Sequence, residues 1–239
     1  LFFLDYFASS KLVVDEAAKV IKSIAHACNE SGCALLGGET AEMPGHYVGK
    51  NFDLAGFSVG CVDEDKVIDN TNIRQNDVLL GIESSGPHSN GFSLIRKIIN
   101  DADLSDKEYQ HIVDLSLKPT HLYPNVIMKL INKFDIHGMA HITGGGLTEN
   151  IPRSIPKNLS ASIDTKSWVM PEIFKWVQSN GKLKNEDMFR IFNCGIGMVL
   201  IVKEEDSKAI LKEIKDCDFN CFKIGKLINR ETNNSVVFK

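Results

Sequence analysis

The sequence lacks the features that mark secreted, membrane and general nucleic-acid-binding proteins. Its six cysteines form no Cys-x-x-Cys pair, so neither a disulfide framework nor a structural zinc site is predicted. No apolar run reaches the roughly 18 residues that a membrane-spanning helix needs. The net charge of -4 and the pI near 6.0 leave no basic excess for nucleic acid. We therefore predict a cytoplasmic protein with neither membrane nor nucleic-acid partners.

The sequence does not begin with Met, and its first residues do not have the pattern of a signal peptide. The start, Leu1–Leu4, is apolar, but Asp5 interrupts it and no basic flank precedes it. We expect a chain that has been truncated or processed, or that lacks an upstream segment. Its 239 residues, 43% of them apolar, suffice for one large domain or two modest ones.

Periodicity predicts a mixture of helices and strands and no internal repeat. The predicted helices are 15–31, 90–99, 124–134, 147–155, 168–179 and 204–217. The predicted strands are 33–36, 52–62, 78–82, 137–142, 196–202, 222–227 and 235–238, with a polar excursion at 101–120. This mixture predicts an α/β or α+β chain. The polar, Asn-rich stretch after 62 places a domain boundary near Lys66, giving domains 1–66 and 67–239.

The most informative segment is GGETAEMPGHY at 37–47. It carries two carboxylates, Glu39 and Glu42, in what we predict to be a glycine-rich turn that follows a short buried strand. Carboxylates in such a place suit a hard cation such as Mg²⁺. A solvated acidic turn is the alternative, and spacing alone does not separate the two.

A second candidate site is Thr143-Gly144-Gly145-Gly146, which follows a predicted strand and precedes a predicted helix. Exposed backbone N–H groups at a helix start attract phosphate. A flexible connector is the alternative. Arg153 in the next helix is a candidate to complete a phosphate clamp, or a plain surface charge. His141, just before the loop, is a candidate proton carrier; His137, on the same face of the strand, serves as the comparison.

Two more segments hold polar or glycine-rich clusters beside predicted strands. SSGPHSNG at 84–91 follows a strand, and His88 and Asn90 are its candidates for substrate contact, although Ser89 or Asn90 also suits a helix cap. FNCGIGM at 192–198 opens the most apolar strand. Its Cys194 has no neighbouring cation in the sequence, which predicts a buried, inert thiol.

Taken in order, the segments 37–47, 84–91, 141–153 (HITGGGLTENIPR) and 192–198 resemble aminoimidazole ribonucleotide synthetase. This family is also called phosphoribosylformylglycinamidine cyclo-ligase. The resemblance runs from Leu1 to near Val237. The family has a further N-terminal segment with an Asp-Gly-Val-Gly-Thr-Lys core that this sequence does not contain, so we expect a family member that begins late.

The resemblance implies an α+β fold of two domains. The first, 1–66, would be the remainder of a β-rich, ATP-binding domain that forms dimers. The second, 67–239, would be an α+β sandwich that binds substrate and phosphate. The implied reaction is ATP-dependent cyclisation of formylglycinamidine ribonucleotide in purine biosynthesis, with ADP and phosphate released. ATP and Mg²⁺ are the implied cofactors, and a small-molecule nucleotide substrate and a second copy of the chain the implied partners.

The same resemblance implies roles for individual residues. His141 and His88 would be catalytic. Glu39 and Thr40 would contact metal or ATP. The residues implied in substrate or phosphate binding are Ser89, Asn90, Thr143, Gly144, Gly145, Gly146, Arg153 and Asn193.

Two alternatives stay open. One is another ATP-dependent member of the same superfamily, such as the amidotransferase one step earlier or thiamine monophosphate kinase. The other is a phosphate-binding or dimerisation fragment without activity of its own.

Overall fold

A computed structural model describes residues 1–239 and divides them into two compact units. The first unit is Leu1–Val67 with Leu122–Met128, and the second is Ile68–His121 with Lys129–Lys239. None of the helices combines the length and apolarity needed to span a bilayer. The mixed α+β composition in two units confirms the predicted fold class. The assignment of ATP to one domain and substrate to the other stays a prediction.

The first unit is a three-stranded sheet with one long helix. Its elements are β1 (Phe2–Ser9), α1 (Val14–Glu30), β2 (Ala34–Glu42), β3 (Phe52–Val59) and a 3-10 helix at Glu64–Lys66. The strand order is β2-β1-β3, with β1 parallel to β2 and antiparallel to β3. Phe7 of β1 and Ala17 and Cys28 of α1 are buried, whereas all eight residues of β3 are exposed.

The second unit contains the remaining elements around a six-stranded sheet. They are β4 (Val78–Glu83), α2 (Phe92–Asp101), α3 (Asp106–Ser116), α4 (Pro124–Ile131, whose first turn belongs to the first unit), β5 (Ile136–His141), α5 (Gly146–Asn150), a 3-10 helix at Ile151–Ser154, β6 (Leu159–Ile163), α6 (Glu172–Asn180), α7 (Asn185–Ile191), β7 (Ile196–Val202), α8 (Glu204–Lys215), β8 (Cys221–Asn229) and β9 (Val236–Phe238). The strand order is β5-β7-β4-β8-β6-β9, and every neighbouring pair is antiparallel except β6 with β9.

The core of the second unit lies mainly between this sheet and the helices α2, α5, α6 and α7. Phe174 of α6 and Phe192 after α7 are fully buried there, with ring centroids 5.9 Å apart. α8 packs against β4 and β8 and buries Ile210 and Ile214. Helices therefore pack on the faces of the sheet, and the connecting loops lie at the ends of its strands.

Two sequence predictions need correction. The glycine-rich turn predicted at 37–42 is strand, because Gly37 to Glu42 pair in parallel register with β1. Gly38 is required in this strand: a Cβ there would lie 2.1 Å from the Asp5 Oδ1. The polar excursion at 101–120 contains α3, whose capping box joins Ser105 and Glu108. β6 and α7 were not predicted.

Candidate functional site

Three of the motif loops converge at one edge of the second unit's sheet. β7 lies between β4 and β5 and is antiparallel to both, and Met198 of β7 pairs with each of them. The carboxyl ends of β4 and β5 therefore share an edge with the start of β7. The loops at 84–91 and 143–145 and the segment 193–195 meet there.

Asn193 connects two of these segments. Its side chain is 2% exposed. The Oδ1 accepts hydrogen bonds from the Ser84 Oγ (2.8 Å) and the Gly195 N–H (2.9 Å), and the Nδ2 donates to the Gly86 carbonyl (2.8 Å). The predicted substrate contact thus uses its amide to hold protein groups. The neighbouring Cys194 is fully buried, and this burial raises the pKa of its thiol, as expected for an inert cysteine.

His88 is a buried acceptor for backbone groups. Its Nε2 lies 3.0 Å from the Ser85 N–H and 3.4 Å from the His121 N–H. Burial, followed by the charges of His121 and His141, lowers the pKa of His88 to about 4. The ring is therefore neutral at physiological pH. It is suited to shaping the loop and poorly suited to donating a proton from the imidazolium form.

The loop that contains His88 has an unusual backbone. His88, Ser89 and Gly91 have φ values of 51°, 60° and 75°, in the left-handed region that side chains disfavour. The Asn90 Nδ2 donates to the His88 carbonyl at 2.7 Å, which helps to hold this turn. Ser89 is exposed and Asn90 half-buried at its tip. Backbone strain maintained in this way is a known mark of functional loops.

His141 differs from His88 in its accessibility. It is the last residue of β5, and its side chain is exposed. Loss of part of its water shell lowers its pKa, so that the neutral form predominates at physiological pH. Of the two histidines predicted to be catalytic, His141 is the one that a ligand can reach.

The glycine loop has the backbone geometry of an anion site. Gly145 and Gly146 have φ values of 98° and 55°, and a Cβ on Gly146 would lie 2.3 Å from the Phe189 carbonyl oxygen. The N–H groups of Gly144 and Gly145 donate to no protein group. A Cβ on Gly144 would lie 3.5 Å from the Asn90 Oδ1, which places this loop beside the His88 loop.

Asn150, which sequence reasoning missed, lies under the glycine loop and is 4% exposed. Its Nδ2 is within hydrogen-bond distance of the Thr143 (3.3 Å), Gly144 (3.2 Å) and Gly146 (2.8 Å) carbonyls. Its Oδ1 accepts from the Thr143 Oγ1 and the Arg153 Nη1, both at 3.3 Å. Its position in the HITGGGLTENIPR motif was the available signal, but spacing does not reveal a side chain that turns back on the loop.

Glu39 and Thr40 lie in β2 of the first unit and, as neighbours in a strand, point to opposite faces of its sheet. The Glu39 Oε1 accepts only from the adjacent Thr40 N–H (3.0 Å), whereas the Glu42 Oε1 accepts from the Leu12 N–H (2.6 Å). No three His, Cys, Asp or Glu side chains come together to hold a metal ion. Mg²⁺ at nucleotide sites usually takes one or two carboxylates together with phosphate oxygens and water.

Family models match nearly the whole chain. The AIR synthase related protein, N-terminal domain, matches residues 1–62, and the AIR synthase related protein, C-terminal domain, matches residues 74–237. The chain belongs to the AIR synthase related protein family. This membership confirms the resemblance seen in the four motifs.

Two relatives show the extent of the match. The chain is 51% identical over 228 residues to phosphoribosylformylglycinamidine cyclo-ligase of Burkholderia ambifaria, covering 94% of the chain and 65% of the relative. It is 49% identical over 237 residues to the cyclo-ligase of Neisseria gonorrhoeae, covering 98% and 69%. The chain thus spans about two thirds of the length of these relatives.

Solved structures share the fold at low sequence identity. Escherichia coli HypE superposes with a TM-score of 0.73 at 14% identity, covering 99% of this chain and 69% of that one. The hydrogenase maturation protein HypE in complex with ATP gives 0.71 at 20% identity, covering 99% and 69%. Thermotoga maritima PurL complexed with AMPPCP gives 0.60 at 14% identity, covering 99% and 35%. At these identities the likeness establishes the fold alone.

Proposed function

We propose that this chain is the larger part of an ATP-dependent phosphoribosylformylglycinamidine cyclo-ligase. The observation that carries the proposal is about 50% identity to cyclo-ligases over 94–98% of the chain. The converging loops in the second unit support it, because they combine free backbone N–H groups, an accessible histidine and polar side chains. ATP binding is supported by the reported ATP and AMPPCP complexes of HypE and PurL.

The proposed reaction closes an imidazole ring by phosphoryl transfer. The formyl oxygen of formylglycinamidine ribonucleotide attacks the γ-phosphorus of ATP, and ADP leaves. The amidine nitrogen that carries the ribose then attacks the formyl carbon. The carbon–oxygen bond breaks, phosphate leaves with the former formyl oxygen, and two protons lost from nitrogen pass to solvent or a base. Transfer of one proton from the ring methylene to the exocyclic nitrogen then gives the aminoimidazole. Positioning and neutralisation of charge provide most of the catalysis in such transfers.

The geometry of the second unit supports the following proposed roles. The Gly144 and Gly145 N–H groups bind a phosphate of the substrate, with Thr143 and Arg153 beside them. His141 holds or moves a proton at its accessible ring. His88 orients the loop as a neutral acceptor, which places Ser89 and Asn90 for substrate contact. Gly146 and Asn193 hold the backbone of these loops in place.

Glu39 and Thr40 are proposed to contribute to ATP or Mg²⁺ binding from the first unit. Glu39→Gln is expected to lower activity far more than Glu42→Gln, since Glu42 uses an oxygen that glutamine keeps to accept the Leu12 N–H. Equal activity of Glu39→Gln and the parent at saturating Mg²⁺ and ATP would exclude the assignment.

The test is ADP formation that depends on formylglycinamidine ribonucleotide. It should be measured on this chain alone and on the chain joined to the N-terminal third of a cyclo-ligase relative. Thiamine monophosphate in place of the substrate tests the superfamily alternative. If the joined protein makes ADP only with formylglycinamidine ribonucleotide, the proposal stands. Turnover by the joined protein but not by the chain alone would show that the chain binds ligands and needs the added N-terminal third for activity. No turnover by either protein overturns the proposed function.

A further inference from the structure

The contacts of Asn150 have a consequence for the direction of the glycine loop's N–H groups. In a trans peptide, the C=O of one residue and the N–H of the next point in opposite directions. The Asn150 Nδ2 donates to the carbonyls of Thr143 and Gly144, so both carbonyls point toward Asn150. The N–H groups of Gly144 and Gly145 must therefore point away from Asn150, and neither meets a protein acceptor.

The oxygen of the same amide accepts a hydrogen bond from a cationic side chain. The Asn150 Oδ1 accepts from the Arg153 Nη1 and from the Thr143 Oγ1. One buried side chain thus contacts the carbonyls of the glycine loop, the Thr143 hydroxyl and the Arg153 guanidinium. An asparagine provides both donors and acceptors for this purpose, whereas a carboxylate provides only acceptors.

We infer that Asn150 is a positioning residue that assembles the anion site, by turning the Gly144 and Gly145 N–H groups outward and holding Arg153 beside them. The inference rests on the proposed function only for the identity of the anion. The direction of the Gly145 N–H follows from the contact of Asn150 with the Gly144 carbonyl, whereas the Thr143 carbonyl is held both by Asn150 and by the Gly146 N–H, at 3.0 Å.

The principal variant is Asn150→Asp, which keeps the shape of the side chain and removes both amide hydrogens. The probe is inorganic phosphate, titrated into the whole chain while the Gly144 and Gly145 amide signals are followed by NMR. We expect at least a tenfold loss of phosphate affinity, together with shifted Gly144 and Gly145 amide signals before any phosphate is added. The matched control is Ser160→Ala, which removes the hydrogen bond that the buried Ser160 of β6 donates to the Asn234 carbonyl.

The control separates positioning from general stability. Ser160→Ala should lower the thermal midpoint and leave both the phosphate affinity and the two glycine amide signals unchanged. If Asn150→Asp keeps the parent's affinity and amide signals, or if Ser160→Ala loses as much affinity at a similar midpoint, the inference is wrong. If the parent itself does not bind phosphate, the proposed anion site fails, and unshifted Gly144 and Gly145 amides in Asn150→Asp would still overturn the positioning role independently.

A second variant covers failure of the first to fold. Asn150→Ser keeps one short donor and creates no buried charge. It should shift the same two amide signals and weaken phosphate binding by a smaller factor than Asn150→Asp. Unchanged glycine amides in a folded Asn150→Ser protein would contradict the inference.

Discussion

The two units of this chain use similar strand sequences in opposite environments. β4 of the second unit has five of its six residues buried and lies between two other strands. β3 of the first unit carries Phe52, Leu54, Phe57 and Val59, yet all its residues are exposed and it lies at the edge of its sheet. An apolar strand pattern therefore predicts that the strand packs against another apolar surface. It does not predict that this surface belongs to the same chain.

The largest expected effect is on the core of the second unit. Phe174→Ala removes a fully buried ring that packs against Phe192, which should lower the free energy of unfolding by about 3–5 kcal/mol. Phe57→Ala, the matched change in the first unit, removes a ring that is 63% exposed and should change it by less than about 0.5 kcal/mol. Urea unfolding of both variants checks the contrast, and similar losses would contradict it.

Elements with a strong pattern were predictable and elements decided by tertiary contacts were not. The second unit's continuous apolar strands at 78–82 and 196–202 match β4 and β7. β6, with the sequence LSASI, carries serines at two of its five positions, so its composition conceals a fully buried strand. β2 was mistaken for a turn because its glycines suggested one, whereas the segment pairs with β1 and the close approach of Asp5 accounts for Gly38.

The site was predictable as a set of loops and not as a set of roles. Three of the four motifs, at 84–91, 141–153 and 192–198, lie in segments that meet at the end of the second unit's strands, whereas the fourth, at 37–47, lies in the first unit. Sequence could not show that the His88 Nε2 and the Asn193 amide are buried and bonded to protein groups, nor that Asn150 contacts the carbonyls of the glycine loop. Such roles depend on side-chain direction in three dimensions, which residue spacing leaves undetermined.

The next prediction compares two adjacent glycines. Gly145→Ala places a methyl group at φ 98°, 2.7 Å from the Glu149 Oε2, and should cost about 1–3 kcal/mol of stability. Gly144→Ala meets only the Asn90 Oδ1, at an ordinary 3.5 Å, and should leave stability unchanged while its methyl group obstructs a bound phosphate. The thermal midpoint and the phosphate affinity of both variants give the test. A Gly144→Ala protein that binds phosphate as well as the parent would show that the loop serves the fold alone.

The pH dependence of the second unit should come partly from His88. Its pKa of about 4 in the folded protein lies below the unfolded value near 6.5, so the unfolded state takes up the proton first. The contribution of His88 to the free energy of unfolding is then fully present above pH 6.5. It is lost, by on the order of 2 kcal/mol, as the pH drops from 6.5 toward 4. Urea unfolding at several pH values checks this.

His88→Gln should flatten that pH dependence, because glutamine can accept the Ser85 N–H and does not titrate in this range. His111→Gln, which changes an exposed histidine of the same unit, is the control and should leave the parent's slope in place. A His88→Gln protein that loses stability as steeply as the parent would assign the effect to other groups, such as His121 and His141, whose pKa values are also lowered by burial.

The smallest expected change in the free energy of unfolding comes from a test of self-association through the first unit. We expect its exposed β3 to be covered by a second copy of the chain, so Phe57→Ser should weaken self-association while changing the free energy of unfolding of the monomer by less than about 0.5 kcal/mol. Phe57 and Val59 share one face of an edge strand, whereas Val169 in the second unit is an isolated exposed side chain, 78% accessible. Val169→Ser is therefore the control and should leave association unchanged. Sedimentation at micromolar concentration decides between them: a parent that sediments as a monomer, or equal losses for Phe57→Ser and Val169→Ser, would show that the exposed strand is not a dimer surface.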